Sequence, residues 1–308
     1  MISILLASYN GEKYISGQID SLLKQTEQGF KLFICDDKST DSTYSIIKDY
    51  AGKYPDKIIA SQNDINTGEA KINFIKMMIN HKDDYIMLCD QDDVWMPDKI
   101  EKSLKKIKEM EEQHGCSKPV LVHTDLSVVD EELNIISPSY IKAVNVRYKN
   151  KALKKVVIQN FVAGCTVIYN RAFGELISAQ PEYMIMHDWW IVLIAGAFGE
   201  VGTLCEPTIL YRQHAKNVHG TNRRTPSSHF FHKVFNSGEI KATLASTYKQ
   251  AGCFLALYGE RLSEDDFKLI RDYASMPGKS KCGRVRVLFK YGTWKNGLLR
   301  RLAQVLFV

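Results

Sequence analysis

The stretch "LCDQDDVW", residues 88–95, carries an apolar run directly into three acids. Tyr85–Leu88 is typical of a buried strand, and Asp90, Asp92 and Asp93 follow it almost at once. Buried carboxylates are unfavourable unless they are paired, protonated or bound to a metal, and neighbouring carboxylates repel one another. A divalent cation relieves that repulsion, and Mg²⁺ or Mn²⁺ often bridges carboxylates to phosphates. The stretch therefore predicts a metal–diphosphate site at the end of a core strand.

Around this stretch, strand and helix patterns alternate along the first part of the chain. Apolar residues recur at helical spacing between four predicted strands. These strands are Ile2–Ser8, Lys31–Cys35, Lys57–Ala60 and Tyr85–Cys89. Ser39 is predicted to be the N-cap of the second helix. The alternation predicts an α/β fold, a mainly parallel sheet with helices on both faces.

The pattern changes after Pro119, where strands and helices no longer alternate regularly. Further strands are predicted at Val120–Val129, Phe161–Tyr169 and Val201–Leu210. Helical patterns follow at 189–198, 240–258 and 264–275. We therefore divide the chain into a domain at 1–220 and a C-terminal helical extension at 221–308, which ends in a basic amphipathic tail.

The composition is that of an ordinary globular protein of 308 residues, with 45% hydrophobic and 25% charged residues. No apolar run approaches the roughly 18 residues that a transmembrane helix needs, and the first residues are typical of a core strand and not of a signal peptide. The seven cysteines form no Cys-x-x-Cys pair, so neither a disulfide framework nor a zinc site is indicated. We therefore expect a reducing, cytoplasmic location.

The net charge of +6 is concentrated in the tail, residues 279–308. This segment has eight bases and no acids, so the other residues hold 33 of the 41 bases against all 35 acids. Bases mixed with leucine, phenylalanine and tryptophan suit the anionic face of a bilayer. The same pattern suits a terminal helix that packs on the domain with a solvated basic face, and both interpretations stay open. No nucleic-acid-binding module is recognised, so nucleic acid is not an expected partner.

Three polar clusters follow predicted strands directly. They are Ser8-Tyr9-Asn10, Asp36-Asp37 and Asp90-Gln91-Asp92-Asp93. Ligands of open α/β sheets lie beyond the carboxyl ends of the strands, so we expect the three clusters to line one crevice. Pairs of acids also serve as turn or helix-cap devices, and this alternative carries more weight for the pair at 36–37 than for the acids at 90–93.

Four motifs together resemble the family 2 glycosyltransferases of GT-A fold, and more narrowly their bacterial rhamnosyltransferase-like members. The motifs are "SILLASYNGEKYI" at 3–15, "FICDDKSTDST" at 33–43, Asn66-x-Gly68, and "CDQDDVWMPDKI" at 89–100. Each motif alone is weak, whereas their order and spacing together are specific. The resemblance covers residues 1 to about 220 and implies a nucleoside-diphosphate-sugar donor and a saccharide acceptor.

The resemblance also implies which residues hold the donor and a divalent cation, Mg²⁺ or Mn²⁺. Those implied near the base, ribose or diphosphate are Ala7, Ser8, Tyr9, Asp37, Asn66, Gly68, Lys71, Asn73, Asp92 and Arg212. Asp93 is implied as the main metal ligand, with Asp92 and His214 as further ligands.

On the acceptor side, the resemblance implies Asp188, in "MHDWW" at 186–190, as the catalytic base. An acid ahead of an apolar helix could equally be its N-cap, and both roles can coexist. Trp189 and Trp190 could stack on the acceptor sugar or belong to the core. A single base with in-line attack predicts inversion at the anomeric carbon.

The resemblance favours dTDP-L-rhamnose as donor and a growing, lipid-linked cell-surface saccharide as acceptor, which would place the enzyme in the cytoplasm, peripherally on the inner face of the cell membrane. A UDP-hexose donor is the alternative within the class. A sugar-nucleotide pyrophosphorylase ranks lower, because such an enzyme would need a Gly-rich basic loop where this chain has Ser8–Lys13. An inactive nucleotide-sugar-binding scaffold also ranks lower, because Asp92, Asp93 and Asp188 are all present.

Overall fold

The computed structural model describes residues 1–144, 148, 151–214 and 237–308. The predicted domain boundary near residue 220 lies outside these residues. The described chain forms two compact units. The first holds 1–144, 162–180 and 199–214, and the second holds 148, 151–161, 181–198 and 237–308.

A nine-stranded sheet forms the first unit, in the order β3-β2-β1-β4-β8-β6-β9-β5, with β7 paired to β6. The strands are β1 Ile2–Ser8, β2 Phe30–Asp36, β3 Ile58–Gln62, β4 Tyr85–Cys89, β5 Val94–Trp95, β6 Val120–Val129, β7 Ile135–Ser137, β8 Val167–Asn170 and β9 Glu200–Arg212. Strands β1 to β4 pair in parallel, and β6 also pairs in parallel with β9. The pairs β4–β8, β6–β8, β5–β9 and β6–β7 are antiparallel.

The first four helices of the first unit lie between its strands as the sequence predicts, whereas two short helices of four residues each were not predicted. The four predicted helices are α1 Ile15–Leu23, α2 Thr43–Lys53, α3 Ala70–Asn80 and α4 Lys99–His114, and the short helices are α5 Tyr140–Ala143 and α7 Arg171–Gly174. Alternate residues of β1, Ile2, Ile4 and Leu6, pack in one apolar cluster with Ile19 of α1 and Ile100 of α4. Helix α3 also contacts β1, but its buried residues stand outside that cluster, so helices cover both faces of the sheet.

In its described residues the second unit is helical. Its helices are α6 Leu153–Val156, α8 His187–Phe198, α9 Ser237–Tyr258, α10 Glu264–Ala274, α11 Lys281–Tyr291 and α12 Leu298–Phe307. Trp190 of α8 lies in an aromatic core, with its ring centroid 5.6 Å from that of Phe254 and 6.1 Å from that of Tyr258. No helix within the described ranges is long and apolar enough to cross a membrane.

Two local predictions are wrong. Ser39 does not cap α2, which begins at Thr43; its hydroxyl instead donates to Asp36 Oδ1 at 2.5 Å. The predicted strand Phe161–Tyr169 is shortened, because Gly164–Thr166 forms a 3-10 turn and β8 begins only at Val167. In both places a local side-chain hydrogen bond competes with the regular element. At the first it is the bond from Ser39 to Asp36, and at the second Thr166 Oγ1 donates to Ala163 O at 2.6 Å.

Candidate functional site

The ends of β1 and β2 are joined by side-chain hydrogen bonds. Ser8 pairs in register with Asp36, and its hydroxyl donates to Asp36 Oδ1 at 3.1 Å. Asn10 adopts the left-handed conformation (φ 46°), and its Oδ1 accepts from Thr40 N at 2.8 Å. Asn tolerates this conformation better than most residues. Ala7, the residue before Ser8, is 8% exposed and pairs with β2, so it supports the loop from within the sheet.

Asp37 anchors the loop that follows β3. Its carboxylate accepts from Thr67 N at 2.9 Å, from Thr67 Oγ1 at 2.7 Å and from Asn63 Nδ2 at 2.7 Å. Asn66 Nδ2 donates back to Asp37 O at 2.8 Å, and Gly68 supplies the positive φ of 79° that the turn requires. Asp37 therefore shapes the predicted base site through protein contacts, and its direct contact with a nucleotide stays a prediction.

Lys71 and Asn73 lie on the first turns of α3, after this loop. Lys71 Nζ lies 3.0 Å from Glu69 Oε2, and the Lys71 side chain is 15% exposed. Asn73 is buried, and its Nδ2 donates to Cys35 O at 2.9 Å. Their predicted contacts with base or diphosphate stay predictions.

Gln91 clamps the acidic loop to the end of β1. Its Oε1 accepts from Tyr9 N at 2.8 Å, and its Nε2 donates to Tyr9 O at 2.9 Å. A Cβ placed on Gly11 would lie 2.3 Å from Gln91 Oε1, so the glycine makes room for the carboxamide. The Tyr9 side chain is left 46% exposed. These contacts bring the three polar clusters together at one edge of the sheet, whereas it stays a prediction that they line a ligand crevice.

Asp92 and His214 meet in the same part of the first unit. His214 Nε2 lies 2.8 Å from Asp92 Oδ2, and the imidazole stacks on Tyr14 with ring centroids 4.8 Å apart. Arg212 Nε donates to Asp92 O at 2.9 Å, and its guanidinium lies 4.8 Å from the centroid of the Tyr14 ring. The chain thus brings together Asp92, Arg212 and His214, which are predicted to hold the diphosphate or its metal, although Asp92 is far from the other two in sequence.

Asp93 points away from solvent and is 1% exposed. Its Oδ1 accepts from Arg212 N at 3.1 Å, whereas no described residue hydrogen-bonds its Oδ2. Burial raises the pKa of Asp93 well above its usual range, and the charges of Asp92 and Asp90 act in the same direction. Asp90, Asp93 and Cys165 each offer one ligand atom, and these atoms all lie within 4.8 Å of one another.

A buried lysine lies in the field of this cluster. Lys99, the first residue of α4, is fully buried, and its Nζ lies 4.5 Å from the centroid of the Trp95 ring. Burial lowers the pKa of Lys99 to about 8, while the nearby Cys165, Cys89 and Asp93 act in the opposite direction. No described residue accepts a hydrogen bond from this amine.

The donor set fits a divalent cation. Asp92 offers a carboxylate oxygen, the ligand type that Mg²⁺ and Mn²⁺ prefer, whereas the imidazole nitrogen of His214 beside it is a ligand more typical of later transition metals. The buried Asp93 Oδ2 needs a proton or a cation to offset its desolvation. Asp90 and Cys165 stand next to it, although a thiol favours softer metals. The assignment of Asp93, Asp92 and His214 as ligands stays a prediction.

The predicted acceptor-side residues belong to the second unit. Asp188 lies in the first turn of α8, and its Oδ1 accepts from Trp189 N at 2.5 Å, so it contributes to the helix start. Trp189 is half-buried and its Nε1 donates to Val156 O at 2.7 Å. Trp190 is fully buried in the aromatic core. A buried ring cannot stack on a sugar, so we do not retain Trp190 as an acceptor contact.

Three residues at this site carry no predicted role from the sequence. Gln91 stands between the acids, but its position gives no sign that its amide spans to Tyr9. Cys165 is far from Asp93 in sequence and could be recognised only as a buried thiol. Tyr14 is followed by the helical pattern of α1, which gave no reason to expect its stacking on His214.

Comparison with known proteins places these features in context. The family model for glycosyl transferase family 2 matches residues 3–176, more than half of the chain. The dTDP-rhamnosyl transferase RfbG of Shigella flexneri is 27% identical over 228 residues, which are 70% of this chain and 74% of RfbG. The uncharacterized protein Rv1520 of Mycobacterium tuberculosis is 29% identical over 221 residues. That match covers 70% of this chain and 60% of the relative's length.

Solved structures show the same fold at low identity. S. aureus TarS, residues 1–349 in complex with UDP-GlcNAc, matches with a TM-score of 0.54 and 15% identity, covering 94% of this chain and 80% of the other. The mannosyltransferase PcManGT of Pyrobaculum calidifontis, in complex with GDP-Man and Mn²⁺, matches with a TM-score of 0.52 and 12% identity. That match covers 99% of this chain and 78% of PcManGT.

Proposed function

The chain belongs to glycosyl transferase family 2, and from this membership we propose that it transfers a sugar from a nucleoside-diphosphate donor to a saccharide acceptor with inversion. Its α/β sheet is of the GT-A type, as the sequence predicts. The observation that carries the proposal is the pairing of Asp92 with His214 at 2.8 Å, in the acidic loop that Gln91 clamps to Tyr9. This arrangement places a carboxylate and an imidazole that could bind a metal ion beside the end of β1, where we propose that the nucleotide binds.

The donor that we propose is dTDP-L-rhamnose. Support comes from the similarity to a dTDP-rhamnosyl transferase. A UDP-hexose is the second candidate donor, since the chain shares its fold with a protein solved in complex with UDP-GlcNAc. Thymine and uracil offer the same hydrogen-bonding edge and differ by one methyl group, so pocket shape must discriminate between them.

The divalent cation, Mg²⁺ or Mn²⁺, would be held by Asp93, Asp92 and His214. When bound, it would neutralise the charge that grows on the departing diphosphate. Arg212, whose guanidinium is already fixed by Asp92 O, would add a positive charge near that group. The fold shared with a mannosyltransferase solved with Mn²⁺ supports the proposal of a divalent cation, and the choice of ligands rests on the residues themselves.

Asp188 would be the general base that takes the proton from the acceptor hydroxyl as it attacks the anomeric carbon. One base with in-line attack gives inversion without a covalent enzyme intermediate. Trp189 would contact the acceptor, which we propose to be a lipid-linked cell-surface saccharide. The seven cysteines are all free thiols, which supports the proposal that the enzyme works in the cytoplasm, at the inner face of the membrane.

The donor is tested by thermal shift with dTDP, UDP and GDP, each with and without Mn²⁺. A ligand that binds the folded state raises the melting temperature in step with its occupancy. We expect the largest Mn²⁺-dependent shift with dTDP. A larger shift with UDP would select the hexosyl alternative instead.

The base is tested with Asp188→Asn, by measuring dTDP release from dTDP-L-rhamnose and Mn²⁺ in the presence of lipid-linked saccharides. We expect unchanged dTDP binding and a loss of turnover of at least about 100-fold. Asp265→Asn is the matched control, since Asp265 is also a first-turn carboxylate, on α10, and loses the same helix-end charge. Near-normal turnover in Asp188→Asn would rule out the base assignment.

A further inference from the structure

Helix α12, Leu298–Phe307, turns its leucines to solvent. Leu298 is 74% exposed, Leu299 47%, Leu302 53% and Leu306 63%. Their spacing places all four within a stripe about 100° wide on one side of the helix. A helix that rests on a protein surface normally turns such a stripe inward. The exposed side of α12 is therefore its apolar side.

The opposite side of α12 buries a polar residue. Gln304 is 1% exposed, its Oε1 accepts from Lys295 N at 2.9 Å, and its Nε2 donates to Thr293 O at 2.9 Å. Ala303 beside it is 9% exposed. The oxygen and the nitrogen of the Gln304 side-chain amide each have a specific backbone partner, so the rotation of α12 about its axis is fixed. The leucine stripe faces outward because the docking contacts require it.

An aromatic pair lies next to this helix. Phe289, near the end of α11, is 70% exposed, and its ring meets that of Trp294 edge-on with centroids 4.9 Å apart. Trp294 stands in the short connection to α12. Phenylalanine and tryptophan of this kind favour the boundary between water and lipid, where an apolar ring and a polar edge are both accommodated.

The charged residues within the segment 279–308 all have one sign, although acids of α10 lie close to Lys290. Residues 279–308 contain eight bases and no acids. Arg301 on α12 and Arg286 on α11 are exposed, and Lys290 is offset by Asp272 of α10 at 3.0 Å. Each basic residue near an anionic lipid surface adds to the attraction between protein and bilayer, and salt weakens that attraction. The apolar stripe and the basic residues together match one partner, a bilayer with anionic headgroups.

We propose that α11 and α12 form a membrane-docking surface, in which the leucine stripe of α12 enters the headgroup–acyl boundary of an anionic phospholipid leaflet and the bases contact its phosphates. The surface lies on the membrane and does not span it. It would hold the enzyme in the plane of a lipid-linked acceptor, and that last consequence alone rests on the proposed function.

The test is flotation of the full chain with vesicles of phosphatidylglycerol and phosphatidylethanolamine in equal amounts, and with vesicles of phosphatidylcholine alone. We expect the wild type to float with the anionic vesicles, to release as salt is raised, and to stay unbound with phosphatidylcholine. Leu302→Ser/Leu306→Ser should weaken binding to the anionic vesicles at least about tenfold, because two inserted side chains are lost.

The matched control is Ile135→Ser/Ile136→Ser. These residues of β7 are 63% and 62% exposed, so the change removes similar apolar surface from the first unit. It should leave vesicle binding unchanged. Binding of dTDP with Mn²⁺, measured on the same preparations, should be equal in the wild type and all variants. No dTDP binding in the wild type would contradict the proposed function and leave the docking surface unaffected.

Three results would overturn the proposal. The wild type could fail to float, or both double variants could lose binding equally. Alternatively, light scattering without lipid could show a wild-type dimer that Leu302→Ser/Leu306→Ser converts to a monomer, which would assign the stripe to a second copy of the chain. Circular dichroism confirms that the variants are folded before any of these results is interpreted.

Discussion

The clamp between Gln91 and Tyr9 makes a quantitative prediction about the coupling of two loops. Gln91→Ala removes two hydrogen bonds, of 2.8 and 2.9 Å, between the carboxamide and the Tyr9 backbone. Each such bond contributes about 0.5–1.5 kcal/mol net, and both bonds are exposed, which places each toward the low end of that range. We therefore expect a loss of about 1–2 kcal/mol in the free energy of unfolding, with weaker binding of dTDP and Mn²⁺.

Gly11→Ala should break the same clamp from the other side. The new Cβ would lie 2.3 Å from Gln91 Oε1 and 2.5 Å from its Cδ, so the carboxamide must move. Gly11 does not have a positive φ, and therefore alanine fits the backbone itself. The nearest atoms to that Cβ all belong to Gln91. Once Gln91 is alanine, the substitution at Gly11 should have almost no further effect.

A double-mutant cycle tests whether Gly11→Ala and Gln91→Ala disrupt the same contact. Urea unfolding and calorimetric binding of dTDP with Mn²⁺ are measured for Gln91→Ala, Gly11→Ala and the pair. We expect the double variant to match Gln91→Ala, which gives a coupling energy of about 1–2 kcal/mol. Gly17→Ala is the control, since its Cβ would meet no neighbour within 4 Å, and it should add independently to Gln91→Ala. Equal losses from Gly11→Ala in both backgrounds would refute the clamp.

Two further predictions concern stability. Lys99→Met should stabilise the fold at pH 7 by about 3 kcal/mol, because burial lowers the pKa of Lys99 to about 8 from 10.5. Between those values the folded state binds fewer protons than the unfolded state, so wild-type stability rises with pH and the advantage of Lys99→Met shrinks toward pH 10.5. Urea unfolding at pH 7 and 10 checks this against the exposed Lys108→Met, and no gain at pH 7 would contradict it. Asp37→Asn should lower the free energy of unfolding by about 1–3 kcal/mol, because an amide donor then faces the two donors of Thr67. Urea unfolding measures this loss, and the exposed Asp64→Asn in the same loop is the control that should leave stability unchanged.

The parallel half of the sheet could be predicted because each strand carries its own signal. Ile2–Ser8 and Tyr85–Cys89 are continuous apolar runs followed by polar residues. Such runs are typical of strands that are covered by helices on both faces of a sheet. The convergence of their ends then follows from parallel pairing. The antiparallel additions around β8 were harder, because Gly164–Thr166 turns where an apolar run suggests continued strand.

Contacts between distant residues could not be predicted in the same way. The Gln91 clamp and the nearness of Cys165 to Asp93 depend on the conformations of loops that are far apart in sequence. No local sequence pattern specifies those conformations. The tail illustrates the same limit differently. Its composition suits a membrane surface or a packed helix equally, and only the burial of Gln304 shows which side of the helix faces the protein.

The central claim is that the acidic loop after β4 binds a nucleoside diphosphate through a divalent cation. Calorimetric titration of dTDP into the full chain, with and without Mn²⁺, tests it most directly when the wild type is compared with Asp92→Asn. Asp98→Asn is the control, since this carboxylate lies beyond the acidic loop at the start of α4 and loses only an exposed ion pair with Lys102. We predict Mn²⁺-dependent binding in the wild type and in Asp98→Asn, and its loss in Asp92→Asn. Binding that ignores Mn²⁺, or that survives intact in Asp92→Asn, would contradict the account.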